Sequence, residues 1–224
     1  MTEPKGVGIM GASRSEEPSI SAAERFFSMK GSFLAGGWQG PMVKDCASEG
    51  SRNICFTRGD FNYRSLVHYW SPEREVAELY RQWAQQHCPQ SETWLVQICI
   101  LIAFINSIPT TELWYSPDWK EFVWYCRRKQ SPPEKFNHLD PETRSVGLIK
   151  GHICTKIAQQ VARIRKENVQ MTINDDFVLR NPVTGSKGTQ WVFTIPSAID
   201  RLGTEIHSRI HIDVTAAPKG DGTE

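Results

Sequence analysis

The most apolar part of the chain is residues 91–109, SETWLVQICILIAFINSIP, in which Gln97 is the one clearly polar side chain between positions 94 and 105. A helix of this composition is apolar on every side and has to be enclosed by other elements. The segment therefore predicts a buried central helix over about residues 91–108. It is shorter than the roughly 18–20 apolar residues of a bilayer span. Asn106 and Pro109 also close it, so it does not predict a membrane helix.

Three other segments begin with a capping residue, a proline and an acid: Ser-Pro-Glu at 71–73, Ser-Pro-Asp at 116–118 and Asp-Pro-Glu at 140–142. This order supplies an N-cap, a favourable first helical residue and a negative charge near the positive end of the helix dipole. Apolar residues at helical spacing follow each of them. They predict helices that end near residues 87, 129 and 167. With 91–108 they make a four-helix core over about 71–167.

Beyond Glu167 apolar residues alternate with polar ones, which is typical of half-buried strands. The alternation predicts a small antiparallel sheet over about 169–214, and segments 53–58 and 61–69 predict a hairpin that joins it. The predicted fold class is α+β, with a four-helix core around residues 91–108, a small antiparallel sheet and flexible termini. The alternating residues are Val169, Met171 and Ile173, then Trp191, Phe193 and Ile195, and finally Ile206, Ile210, Ile212 and Val214.

The two ends of the chain lack any periodicity. Residues 1–22 are rich in Gly, Ser, Pro and Glu and predict a flexible N-terminal arm, and residues 215–224 predict a flexible C-terminal tail. Between them, residues 23–214 predict a single globular domain. Its helical core covers about 71–167 and its β region about 169–214.

Composition narrows the function classes. The 26 Lys and Arg residues nearly balance the 25 Asp and Glu residues, for a net charge of +1, which excludes a protein that coats nucleic acid by bulk charge. Any contact with nucleic acid has to come from a local patch. The eight Trp and ten Phe residues fill a core or serve as interface anchors.

The six cysteines contain no CxxC pair. Cys99 and Cys126 fall at apolar positions, which is typical of reduced core cysteines. The N-terminus lacks the apolar core of a secretory signal. These features predict a reducing, intracellular location, the cytoplasm first, with the nucleus or a virion left open. No zinc-binding or nucleotide-binding motif is present, so we expect no cofactor and no metal.

Clustered cations close two of the predicted helices, where they also suit the negative end of the helix dipole. One explanation is that these cations stabilise the helix itself through its dipole. The other is that they share a surface and follow a phosphate backbone, with aromatic side chains nearby for stacking. The predicted nucleic-acid-binding residues are Arg127, Arg128, Lys129, Arg163, Arg165 and Lys166.

The last predicted strand carries a second candidate site. If Ile210 and Ile212 face the core, the alternating polar residues share the opposite face. Two histidines, an arginine and a carboxylate supply groups for acid–base chemistry or phosphate binding, although any half-exposed strand also has a polar face. The candidate catalytic residues of this alternative are His207, Arg209, His211 and Asp213.

A third possibility is nucleophilic chemistry by a cysteine and a histidine. His152 and Cys154 lie two residues apart, and two residues at that spacing on a helix point in different directions. A zinc pair at these residues is therefore not predicted. A Cys–His pair formed by residues distant in sequence stays open, because the partners need only meet in the fold.

Together these features favour a non-enzymatic structural or binding protein that self-associates and contacts nucleic acid, most simply RNA, in the manner of a nucleocapsid or coat protein. A hydrolase or phosphate-handling enzyme is the first alternative. The second is a protein-only interaction module that binds its partner through exposed tryptophans such as Trp38, Trp70 or Trp114.

Overall fold

The computed structural model describes residues 23–28, 59–63, 67–87, 89, 92–139 and 146–216. Their strands form one seven-stranded mixed sheet. The strands are β1 (Ala23–Ser28), β2 (His68–Ser71), β3 (Thr93–Leu101), β4 (Thr110–Leu113), β5 (Leu148–His152), β6 (Thr189–Phe193) and β7 (Ile210–Thr215). Their order across the sheet is β4-β5-β6-β2-β1-β3-β7. β4 and β5 are parallel, and every other neighbouring pair is antiparallel.

Helices cover both faces of this sheet. They are α1 (Arg74–His87), α2 (Ile102–Asn106), α3 (Pro117–Arg128), α4 (Ala158–Ala162), α5 (Val169–Thr172) and α6 (Pro196–Glu205), with short 3-10 turns at Glu134–Leu139, Lys166–Asn168 and Asp175–Phe177. None of the helices among the described residues has the length and apolar character needed to span a bilayer.

One face of the sheet is packed by α1 and α3. Leu95 of β3 and Phe27 of β1 meet Ala77 of α1. Ile149 of β5 and Val192 of β6 belong to a larger cluster that contains most of the inner side of α3. Trp119, Phe122, Val123 and Cys126 of α3 are buried in that cluster.

The opposite face is packed by α2 and α6. Leu148 of β5, Phe193 of β6 and Ile98 of β3 are fully buried there. They contact Ile105 of α2 and Leu202 of α6 within one cluster. Because both faces carry apolar side chains, the central strands are enclosed on two sides.

The predicted fold class is wrong. The chain has an α/β fold in which helices pack on a seven-stranded mixed sheet, and the described residues form no four-helix core. The central segment 91–108 is the largest difference, because it forms β3 and the five-residue α2. Alternate residues of β3 face the two packed sides of the sheet. A strand that is apolar on both faces has the same composition as a buried helix.

The predicted helix over 140–167 is also wrong. Residues 148–152 are β5, and α4 begins only at Ala158. The capping sequence at 140–142 lies outside the described residues. A Cβ atom added to Gly151 of β5 would meet backbone and side-chain neighbours. Such a close approach is typical of a glycine inside a strand.

The C-terminal β region differs from the prediction in two places. Residues 169–172 form α5, so the alternation of Val169, Met171 and Ile173 is not a strand. The last strand begins at Ile210, because α6 extends to Glu205 and a turn follows it. The alternation at Trp191 and Phe193 does form a strand, β6.

The two best-capped helices are confirmed. α1 starts after Ser71, whose Oγ accepts a hydrogen bond from the backbone N–H of Glu73 at 3.1 Å, and it ends at His87. α3 starts after Ser116, whose Oγ accepts from the backbone N–H of Trp119 at 3.2 Å. Local sequence signals at the two helix starts were enough to predict both helices.

Several predicted segments lie outside the described residues. They are the N-terminal arm at 1–22, the first half of the predicted hairpin at 53–58, and residues 217–224 of the predicted tail. Thr215, the first residue of that predicted tail, is the last residue of β7.

Replacing Gly151 with alanine tests the close packing of β5. The added Cβ would lie 2.3 Å from the carbonyl oxygen of Leu113 and 2.7 Å from Cζ of Phe61. We expect Gly151→Ala to lower the free energy of unfolding by about 2–3 kcal/mol in urea denaturation. Gly203→Ala in α6 is the control, because nothing lies within 4 Å of its Cβ position, and it should gain up to about 1 kcal/mol. Equal effects of the two substitutions would contradict this packing.

Candidate nucleic-acid interface

The C-terminal end of α3 carries the first three predicted cations. Lys129 caps the helix in the left-handed conformation, with φ of 56°. Its backbone N–H donates to the carbonyl of Cys126 at 3.0 Å, and the N–H of Gln130 donates to that of Tyr125 at 3.1 Å. This closing turn places Arg128 and Lys129 at the end of α3.

The segment that follows α4 runs back along α3. The guanidinium of Arg128 donates to the carbonyl of Ala162, and the indole N–H of Trp124 donates to the carbonyl of Ile164 at 2.8 Å. Near the start of α3, the Gln170 amide donates to the carbonyl of Pro117 at 3.0 Å. The antiparallel course brings residues 163–166 beside the same end of α3.

Two of the cations lie against aromatic rings. The guanidinium carbon of Arg128 is 4.8 Å from the ring centroid of Trp124. The ammonium group of Lys166 is 5.6 Å from that of Tyr125, and a hydrogen bond with the Tyr125 side chain raises the pKa of Lys166. Both contacts hold a positive charge over an aromatic face.

Arg163 and Arg165 are exposed and form no ion pair with any residue that the structure describes. Asp118 and Glu121, two acids of α3, are each bridged by Lys135 at 2.6 Å, so part of the nearby negative charge is already neutralised.

We define the basic surface as Arg128, Lys129, Arg163, Arg165 and Lys166. The fold brings these five residues together although the helix predicted for the last three is absent.

Arg127 is placed differently from its neighbours. Its Nη2 lies 2.5 Å from Oδ1 of Asp60, and the two side chains are 13% and 3% exposed. Its Nε donates to the same oxygen at 2.8 Å, and its Nη2 also donates to the carbonyl of Cys154 at 3.2 Å. Arg127 is therefore engaged inside the protein and does not belong to the basic surface.

Asp60 is the residue that sequence analysis missed. Its second oxygen, Oδ2, accepts from the backbone N–H of Cys154 at 2.7 Å and from the Gln190 amide at 3.0 Å. The carboxylate thus has partners from α3, from the segment after β5 and from β6. The sequence offers no signal for these contacts, because the partners lie 67, 94 and 130 residues away.

The candidate catalytic residues are divided between a turn and a strand. His207 and Arg209 lie in the turn after α6, where Arg209 pairs with Glu205 at 2.7 Å. His211 and Asp213 lie on β7 and are joined by a 2.8 Å hydrogen bond. These four residues therefore do not lie on one strand face as predicted.

Neither His152 nor Cys154 carries a charge at neutral pH. The Nδ1 atom of His152 accepts from the backbone N–H of Tyr115 at 2.9 Å. Burial, followed by nearby Lys187 and Arg180, lowers the pKa of His152 to about 4. Burial and the charge of Asp60 raise the pKa of the Cys154 thiol to about 12. At neutral pH this thiol is protonated, which disfavours it as a nucleophile.

The remaining candidates concern tryptophans and metals. Trp114 is exposed as predicted, with its indole N–H bonded to Glu112. Trp70 is buried, so its predicted exposure is wrong, and Trp38 lies outside the described residues. Across the described ranges, no group of three or more His, Cys, Asp or Glu side chains could hold a metal ion.

Comparisons with protein-family models, with curated proteins and with solved structures found no match to this chain.

The Asp60–Arg127 pair gives a stability prediction. Arg127→Met leaves a buried carboxylate without its counter-charge, so we expect a loss of about 3–5 kcal/mol in the free energy of unfolding. Arg128→Met at the neighbouring, partly exposed position should lose about 1 kcal/mol. Urea denaturation of both variants measures the difference. Similar losses in the two variants would show that the buried ion pair contributes no more to stability than the contacts of Arg128.

Proposed function

We propose that the protein is a non-enzymatic binding protein that self-associates and contacts single-stranded nucleic acid, RNA in the first instance, through the basic surface. The observation that carries this proposal is the convergence of five cations from two separate segments at one end of α3. Clustered cations suit a phosphate backbone. The neighbouring rings of Trp124 and Tyr125 are buried beneath Arg128 and Lys166, so they hold the cations in place and are not presented to bases.

The conformation of Lys129 supports a role for its side chain. A residue with φ of 56° is most often glycine at the end of a helix. Any other L-residue costs roughly 1 kcal/mol in this conformation. A charged side chain at a position where glycine would be more stable is consistent with selection for binding.

The near-neutral net charge of +1 sets the expected kind of binding. Only a local patch attracts phosphates, so the affinity should depend on a few contacts and fall with salt by a log–log slope of about 0.7 per contact. Arg127 is not among these contacts, because Asp60 already neutralises it.

Self-association is the second part of the proposal. The sheet has a free edge at β7 among the described residues, and exposed apolar side chains lie along that strand. Such an edge is a template for pairing with another chain.

Removing two cations from the basic surface tests the binding site. We expect Arg163→Gln/Arg165→Gln to weaken binding of a fluorescent oligouridine about 10-fold at low salt and to reduce the salt slope by about 1.4, or about 0.7 per lost phosphate contact. Fluorescence anisotropy at several salt concentrations measures both values.

The matched control removes two arginines elsewhere. Arg201 is in α6 and bonds Ser107, and Arg209 pairs with Glu205. Arg201→Gln/Arg209→Gln changes the net charge equally and should leave the affinity within about 2-fold of wild type. If both double variants weaken binding to the same extent, the effect is one of total charge and the basic surface is not the site.

Lys129 gives a test in which stability and binding change in opposite directions. We expect Lys129→Gly to raise the free energy of unfolding by about 1 kcal/mol, because the left-handed conformation suits glycine. Its affinity for the same oligouridine should fall about 3-fold. Lys129→Ala should weaken binding equally without the gain in stability. Wild-type affinity in Lys129→Gly would remove Lys129 from the binding site.

A further inference from the structure

β7 is an edge strand with an unusual number of apolar side chains in contact with solvent. It pairs with β3 on one side, and no described residue pairs with it on the other. Ile210, Ile212 and Val214 are 39%, 42% and 55% exposed. These three residues point to the same face of the sheet, because side chains alternate along a strand.

The backbone groups of the same three residues point away from β3. Cys99 donates its N–H to the carbonyl of Arg209 at 3.1 Å, and the two residues are register partners by extension of the β3–β7 ladder. Hydrogen-bonded and non-hydrogen-bonded pairs alternate in an antiparallel ladder. His211 and Asp213 therefore direct their backbone groups toward β3, and Ile210, Ile212 and Val214 direct theirs outward.

The sequence of this strand is complementary to itself. Residues 210–214 read Ile-His-Ile-Asp-Val. In an antiparallel pair of two copies with Ile212 opposite Ile212, each Ile210 lies opposite Val214 and each His211 opposite Asp213. Apolar residues meet apolar ones, and the one titratable base meets the one acid.

We propose that β7 pairs with β7 of a second copy of this chain, antiparallel and centred on Ile212, so that two sheets join into one. This inference rests on the proposed self-association and names its interface. The register uses the outward backbone groups of Ile210, Ile212 and Val214, which would form about six inter-chain hydrogen bonds. The contact is isologous, so it closes as a two-fold dimer.

The charges on β7 are already arranged for this register. Oδ2 of Asp213 accepts from Arg74 of α1 at 2.6 Å, and its Oδ1 accepts from His211 at 2.8 Å. His211 and the Asp213 of the second copy would form a non-hydrogen-bonded pair, in which side chains approach most closely. Each carboxylate would then lie between Arg74 of its own copy and the His211 imidazole of the second copy.

Among the described residues, β4 carries features that protect the edge of a sheet, and β7 lacks them. β4 has only four residues, Pro109 precedes it and the exposed Glu112 lies within it. A short strand, a proline and an exposed charge are devices that prevent edge pairing. β7 has six residues and contains neither lysine nor proline.

A single cysteine on the two-fold axis tests the register. In the proposed pair the two Ile212 Cα atoms are about 5.5 Å apart, which a disulfide can bridge. Ile212→Cys should therefore form a disulfide-linked dimer under mild oxidation. Val214→Cys is the matched control on the same edge, because its two copies are offset by about 13 Å and should not cross-link. The wild-type chain controls for its native cysteines.

A lysine at the centre of the edge tests the interface without oxidation. In analytical ultracentrifugation, wild type should sediment at about twice 25.5 kDa. Ile212→Lys should sediment as a monomer, since a buried lysine blocks edge pairing. Met171→Lys makes the same change at another exposed apolar residue and should leave the dimer intact.

The outcomes separate this inference from the proposed function. Cross-linking of Ile212→Cys alone, with a monomeric Ile212→Lys, supports pairing through β7. A wild-type oligomer that persists in Ile212→Lys overturns the β7 interface and leaves self-association standing. A wild-type monomer at all concentrations overturns both. Cross-linking of Val214→Cys as efficiently as Ile212→Cys overturns the register.

Discussion

The buried ion pair of Asp60 and Arg127 joins parts of the chain that are far apart in sequence. The carboxylate binds α3 through Arg127, the segment after β5 through Cys154, and β6 through Gln190. Two charges removed from water are stable only when they are paired and their remaining groups are bonded. Together with the apolar cluster beneath α3, this pair holds α3 on the sheet, and the position of α3 determines where the basic surface at its end is presented.

Sequence patterns predicted what depends on neighbouring residues and failed where distant residues decide. Ser116 caps α3, and the Ser71 hydroxyl holds the turn that leads into α1, so α1 and α3 could be predicted. The apolar composition of residues 91–109 fits a buried helix and a buried strand equally well. β3 forms because β1 and β7 supply hydrogen-bonded neighbours on both sides. β-branched Val96, Ile98 and Ile100 favour that outcome.

The candidate site was predictable in part for the same reason. Clustered cations such as Arg163 and Arg165 are visible in the sequence, and the fold does bring them to the end of α3. Arg127 looks identical to Arg128 in the sequence, yet one is paired with Asp60 inside the protein and the other lies over Trp124. The partners of Asp60 lie too far along the chain for any local pattern to reveal them.

The two proposed surfaces are compatible in one molecule. α3 packs on the β5–β6 part of the sheet, and β7 is the edge strand beyond β3. Pairing through β7 would leave the basic surface of each copy free, and a dimer would present two of them. Two linked sites bind one strand more tightly than either site alone when the strand can reach both.

Light scattering on the purified protein, with its absorbance ratio at 260 and 280 nm at low and high salt, tests the central claim most directly. We expect species larger than the 25.5 kDa chain that carry nucleic acid at low salt and release it as salt rises. A monomer free of nucleic acid at both salt concentrations would contradict the proposed function.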